Sequence, residues 1–197
     1  MEGESKVDIK LINIHKKFKG FSVLEDLNII LKEGQITCIM GPSGIGKTTL
    51  AKILMGLTKP DKGRIEGMTG RKLAAVFQED ALIEHWDAVK NIQLVCQGSI
   101  SREMIQDEFD CIGLKDYNDK PVSQLSGGMR RRVAILRSIM AESDFIIMDE
   151  PFKGLDDGLK ERVIEYIKSK VKGKTVLIIS HDKEAVKMLG AERIVLD

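Results

Sequence analysis

The sequence predicts an α/β fold, a largely parallel sheet covered by helices, and two observations carry that prediction. Short apolar strand-type runs at 36–40, 145–148, 176–179 and 194–196 are interspersed with segments of helical spacing. The first of these runs leads straight into a glycine-rich loop and then a helix, an order of elements that belongs to a βα unit. Ahead of it the pattern differs: 8–14 and 22–31 partly alternate, which suits antiparallel strands at an edge. After the loop, Leu50, Ile53, Leu54 and Leu57 recur at helical spacing, and Lys59-Pro60-Asp61 stops that helix. The stretch 63–76 is compact, and 81–120 is expected to be mostly helical, with Asp87 as N-cap of the turn holding Val89 and Ile92. The run 145–148 reads as a buried strand that Pro151 prevents from continuing, and a helix over 160–170 precedes the strand at 176–179. No internal repeat or low-complexity tract interrupts this order.

The bulk composition excludes several function classes. A chain of 197 residues forms one domain or at most two. Its 31 Lys+Arg against 30 Asp+Glu leave a net charge of +1, so there is no global basic field for nonspecific nucleic-acid binding. The apolar runs are far shorter than the ~20 residues that cross a bilayer, so any membrane role must go through a partner. The polar start at 1–6 leads into no apolar stretch, and no secretory signal is expected. Cys38, Cys96 and Cys111 show no paired spacing and read as reduced thiols of a cytosolic protein.

Two glycine-rich signals carry the chemistry. Gly41-Pro42-Ser43-Gly44-Ile45-Gly46-Lys47-Thr48-Thr49 fits G-x-x-x-x-G-K-[ST], whose backbone N–H groups turn inward onto phosphate oxygens because glycine tolerates the angles required. Leu125-Ser126-Gly127-Gly128-Met129 sets a serine and two glycines before an apolar-periodic helix, whose N-terminus also favours an anion. Asp149 and Glu150 follow a strand, at the edge where open α/β sheets bind ligands. There an Asp can hold magnesium through water, and a Glu can polarise a water for attack on a terminal phosphate. Two anion sites with one set of such carboxylates imply a nucleotide completed by a second copy of the chain. Plainer readings stand beside these. Alone, Ser126-Gly127-Gly128 is a capped helix start, His181 a structural histidine at a strand end, and Phe18, with Phe21 nearby, a core or surface aromatic. His15 and His85 have no companions, Trp86 reads as a packing or partner contact, and Arg130, Arg131, Arg132 and Arg137 as a solvated or inter-lobe helix face.

Taken in order, Gly41 to Thr49, Phe77-Gln78, Leu125 to Met129, Met148-Asp149-Glu150-Pro151, Gly154-Leu155-Asp156 and Ser180-His181-Asp182 make the chain resemble, over essentially its whole length, the ATP-binding cassette (ABC) ATPases. Between Val76 and Ile92 it most resembles the ATPase subunits of bacterial importers of the nitrate, sulfonate and taurine type. The resemblance implies a P-loop NTPase with a RecA-like, mainly parallel core sheet, an N-terminal antiparallel β-subdomain and an inserted helical subdomain. It implies one domain over 1–197, with 1–78 and 140–197 as core and 79–139 as the helical lobe. Further implied are ATP and Mg2+, the latter held by Thr48, Gln78 and Asp149. Lys47 would reach the β- and γ-phosphates, Glu150 would be the general base, and His181 would contact the γ-phosphate. Phe18 would stack on adenine. Ser126, Gly127 and Gly128 would bind the γ-phosphate of the nucleotide held by the opposite subunit, with Asp156 lining that interface.

The sequence departs from the family pattern at Arg131, where Gln is frequent, at Lys153-Gly154 before Leu155-Asp156, and at Lys90, where Glu would complete a capping box. The chain stops after its last strand, so control is expected to act through the core, the helical lobe or a partner. The function expected is an ATP-hydrolysing subunit that works as a dimer on integral membrane transporter subunits, for uptake of a small solute. It would sit in the cytoplasm, peripheral on the inner face of the cell membrane, with any solute-binding protein engaged only indirectly and no nucleic acid. Two alternatives are a soluble ABC ATPase acting on nucleic acid or the ribosome, and a nucleotide-binding regulatory subunit without turnover.

Overall fold

A computed structural model of the chain describes residues 7–96, 100–117 and 120–197. In chain order the elements are β1 (Ile9–Phe18), β2 (Phe21–Leu31), β3 (Ile36–Met40), α1 (Lys47–Leu54), β4 (Lys62–Glu66), β5 (Leu73–Val76), α2 (Ala88–Gln93), α3 (Arg102–Cys111), α4 (Gly127–Met140), β6 (Phe145–Asp149), α5 (Asp157–Lys170), β7 (Thr175–Ile179), α6 (Lys183–Leu189) and β8 (Glu192–Val195). They form a three-stranded antiparallel sheet in the order β2-β1-β4 and a five-stranded sheet in the order β5-β6-β7-β3-β8. Every pairing in the larger sheet is parallel, as expected for strands joined by helices.

Side chains leave a strand alternately on its two faces, and each face of the parallel sheet has its own core. Cys38, Ile146, Met148, Val176 and Ile178 pack against α2 to α6 in one apolar cluster. Ile39, Phe145, Ile147, Leu177 and Ile179 pack on the other side with α1 and the antiparallel sheet, through Leu50, Ile53, Ile9, Leu11 and Ile14. Strands buried on both faces carry unbroken apolar runs, which is why β6 and β7 are fully buried from end to end. Burial also pushes the Cys38 thiol up to about 12, leaving it a neutral core filler. The two sheets are tied at their margins by a buried Arg71, paired with Glu33 at 2.5 Å, and by Thr175 Oγ1, which donates to the same carboxylate at 3.0 Å.

Two local expectations are corrected. The first helix ends at Leu54, where Met55 caps it and Gly56 turns left-handed, so Leu57 lies outside it and is 61% exposed. The stretch 81–120 is largely irregular over its described residues, with only α2 and α3 helical; positions 97–99 and 118–119 of it fall outside those residues. Its core includes Val89, Ile92, Ile105, Phe109, Ile112 and Leu114, with Phe109 fully buried against Tyr117 at a ring separation of 4.3 Å. The compact stretch 63–76 contains most of β4, which is short and polar, and all of β5, an apolar strand of only four residues.

Because Phe109 is a large, fully buried side chain in this core, Phe109→Ala is expected to lower stability by about 3–5 kcal/mol, read from the urea unfolding midpoint. A loss below about 1 kcal/mol would show that the ring is not part of a packed core.

Candidate functional site

Parallel strands finish at a common edge. The ladder sets Ile39 opposite Ile179, Asp149 opposite Ile179 and Val76 opposite Met148. The loops that leave these strands therefore converge, and between them lies an open cleft of about 300 Å³. Its walls include Ser43, Gly44, Gly46, Lys47, Thr48 and Thr49 from the first glycine loop, Gln78 after β5, Asp149 and Glu150 after β6, and His181 after β7. Gly41 and Pro42 stand behind the loop and accept hydrogen bonds from Lys47 Nζ through their carbonyls, at 2.8 and 2.7 Å.

The N-terminus of α1 forms the floor. Each of the helices α2 to α6 is capped by a side chain, from Asp87, Ser101, Ser126, Asp156 and Asp182 respectively. α1 is capped by Gly46, which brings no side chain, and its first turn contains no acidic residue. The N–H groups of that turn, with the positive end of the helix dipole, thus point into the cleft without an internal acceptor. Only glycine fits at 46. Its φ is +102°, and an added Cβ would stand 2.6 Å from Leu24 Cδ2 and 2.8 Å from the Val23 carbonyl.

Across the cleft, Thr48 Oγ1 donates to Asp149 Oδ2 at 2.9 Å and so joins the two loops. A hydroxyl and a buried carboxylate, with the Gln78 amide on the same cleft, make a hard oxygen donor set. Among the described residues no group of three or more His, Cys, Asp or Glu side chains could enclose a metal. That combination fits magnesium, which takes one or two protein oxygens and completes its shell with phosphate oxygens and water. Glu150 sits in the left-handed region at φ +50°, a conformation worth about 1–3 kcal/mol of strain for a non-glycine residue. Its N–H donates to Ile179 O at 2.9 Å, which ties it to β7. Burial raises the Glu150 carboxyl, and the nearby Asp149 adds to that, while His181 and Lys47 oppose it. Its Oε1 is buried without a hydrogen bond and lies 3.3 Å from His181 Nε2.

The cassette-type motif order, the paired loops and the two sheets agree with known proteins. A family model described as ABC transporter matches residues 24–153. The chain belongs to the ABC transporter family. It is an ATP-binding domain of the family's ATPase type. The taurine import ATP-binding protein TauB of Pseudomonas aeruginosa is 35% identical over 189 residues, which are 89% of this chain and 72% of the relative. The spermidine/putrescine import ATP-binding protein PotA of Fusobacterium nucleatum is 32% identical, and there the match takes in 91% of this chain but about half, 52%, of the relative. Among solved structures, the dimeric bacterial ABC transporter cassette MJ0796 superposes with a TM-score of 0.82 at 30% identity, covering 95% of this chain and 94% of the other. The same cassette has been seen dimeric in a post-hydrolysis state bound to ADP and Pi, 28% identical to this chain.

Not every sequence-predicted site residue of this ABC domain lies in the cleft. Ser126, Gly127 and Gly128 are not among its walls; they open α4, where Ser126 Oγ accepts from Met129 N at 3.2 Å and Gly128 rests close to the Gly154 carbonyl. Asp156 caps α5 beside them. Phe18 closes β1 at the hairpin tip, 47% exposed, with Lys16 Nζ 5.3 Å from its ring centroid, and it does not wall the cleft either. Two wall residues, Val23 and Ile179, were invisible to sequence reasoning because neither carries a chemical signal. Of the two readings of the arginine face of α4, solvated or inter-lobe, Arg131 and Arg132 follow the second: both are buried and both donate to backbone carbonyls of other segments.

Gly46→Ala is expected to abolish tight nucleotide binding, since the methyl must displace β2 or open the loop. Titration with a fluorescent ATP analogue checks this, and an unchanged Kd would show that the loop does not need the left-handed glycine.

Proposed function

We propose that this ABC ATPase is the nucleotide-binding subunit of an importer of a small solute, acting as an ATP-sandwich dimer on integral membrane subunits. The observation that carries the reading is the convergence of Lys47, Thr48, Gln78, Asp149, Glu150 and His181 on one cleft over an uncapped helix N-terminus. Lys47 exchanges its carbonyl partners for the β- and γ-phosphate oxygens, and the loop amides of 41–49 cradle the same phosphates. Thr48, Asp149 and Gln78 hold magnesium, whose chemistry here is to neutralise charge on the transferring phosphoryl group. Glu150 accepts the proton of the attacking water, and burial, which raises its carboxyl, suits it to that task. His181 orients that carboxylate from 3.3 Å. Phe18 stacks on the adenine ring from the β1–β2 hairpin.

The start of α4 supports the dimer. Ser126 and Gly127 are exposed and lie outside the chain's own cleft, so their N–H groups suit the γ-phosphate of a nucleotide held by a second copy. Two ATP molecules then hold two copies together, and hydrolysis releases them, because ATP favours the closed form only through contacts both copies make. Movement passes through the segment 79–139 as a helical lobe. Among the described residues no helix is long and apolar enough to cross a membrane, so membrane contact goes through the partner subunits, on the inner face of the cell membrane. The import direction rests on relatives named for taurine and spermidine/putrescine import.

Glu150→Gln is expected to bind ATP, to lose at least about 100-fold in turnover and to elute as an ATP-dependent dimer in size exclusion with light scattering. A fully active monomer would refute the sandwich. Lys47→Ala is expected to weaken ATP binding by about tenfold or more, and unaltered affinity would remove the phosphate role of the loop.

A further inference from the structure

The loop that carries Gln78 has no sheet partner. Ladder pairing of β5 ends with Val76 opposite Met148, and residues 77–80 leave the sheet from there. What holds this loop is α4. Arg131, only 6% exposed, spreads its guanidinium over the loop backbone: Nη1 donates to the Phe77 carbonyl and Nη2 to the Gln78 carbonyl, both at 2.6 Å. Its Nε faces Asp80 Oδ1 at 3.3 Å, Arg130 Nε lies 3.7 Å from the other oxygen of that carboxylate, and Arg137 Nη2 donates to the Asp80 carbonyl at 3.3 Å. Arg131 thus meets the loop at three points in a row.

Only arginine makes that contact. Its planar fork reaches two successive carbonyls while a third nitrogen faces a counterion, whereas lysine offers one mobile point charge and glutamine no charge at all. The same helix begins at Ser126, about a turn and a half away, with its cap bond to Met129. Gln78 and the Ser126 end of α4 therefore share a rigid connection, one terminus of it at the chain's own cleft and the other on the exposed face.

We propose that Arg131 is a positioning residue for ATP hydrolysis: it fixes the backbone beneath Gln78 and makes the Gln78 loop and the start of α4 move as one body. This rests on the reading of Gln78 as a residue of the nucleotide site. Arg131 is not among the walls of the cleft, so its effect reaches the reaction through the loop that carries Gln78.

The test compares steady-state ATPase kinetics of the unmutated chain, Arg131→Met, Arg131→Lys, Gln78→Ala and the double variant Arg131→Met with Gln78→Ala, each with its melting temperature. Arg131→Met and Arg131→Lys are expected to lower kcat about tenfold with KM for ATP changed less than about twofold. The double variant is expected to turn over no more slowly than Gln78→Ala alone, because the two residues act in series. Independent losses that multiply in the double variant, or unmutated kcat in both Arg131 variants, overturn the proposal. Should Arg131→Met fail to fold, Arg131→Lys combined with Gln78→Ala makes the same comparison while keeping a cation against Asp80. An unmutated chain without turnover would instead overturn the functional reading on which this one stands.

Discussion

Five strands that run in one direction must finish at one edge, and that constraint organises this protein. The loops after β3, β5, β6 and β7 are scattered over more than half of the chain, yet parallel pairing gathers them around one cleft. The hydrogen bond from Thr48 to Asp149, between residues 101 positions apart, is the direct expression of that gathering. It is possible only because β7 alone separates β3 from β6 in the sheet, and because the ladder holds all three in register at their ends. Apolar burial on both faces supplies the rigidity, and the polar loops ride on it.

Against that rigid background, the site keeps features that a stability-driven design would remove. α1 forgoes the side-chain cap found on α2 to α6. Glu150 holds a left-handed backbone and a buried carboxylate oxygen without a hydrogen bond. An uncapped N-terminus typically costs about 1 kcal/mol, and strain at Glu150 adds to it, yet both features stand on the cleft where the loops converge. The surrounding sheet over-determines these conformations, which is the usual circumstance in which local strain persists.

Charge plays a second part in joining segments. Three arginines of α4 turn inward: Arg131 reaches the Gln78 loop, Arg132 the Gly113 carbonyl and Arg137 the Asp80 carbonyl. The apolar cluster beneath them is continuous from α2 and α3 through α4 to β6 and β7. The helical segment is therefore joined to the sheet by packing, and to the nucleotide loop by a few charge-assisted hydrogen bonds. Packing resists small displacement, while directional bonds fix one segment relative to another, which is the physical basis of the coupling proposed between the Gln78 loop and α4.

Much of this was legible without coordinates. Continuous apolar runs marked β3, β6 and β7 because strands buried on two faces need them, and the glycine loop and Asp149-Glu150 carried a chemical signal in residue type and spacing, whereas His181 alone read as a structural histidine and gained a role only from the family's motif order. Asp87 and Ser126 announced helix starts through local hydrogen bonds, which depend on neighbours three residues away. Other features were decided only by the tertiary structure. Gly56 ended α1 before Leu57 despite the apolar period, β4 and β5 formed because partners β1 and β6 were waiting, and the stretch 81–120 settled into short helices around Phe109. Arg131 is the sharpest case. By itself an arginine on a helix of mixed polarity reads as solvated, and its burial depends on carbonyls more than 50 residues upstream in the chain. Sequence determines what is set by residue type and near neighbours; contacts between distant backbone groups, which carry no residue identity, exist only once the chain has folded.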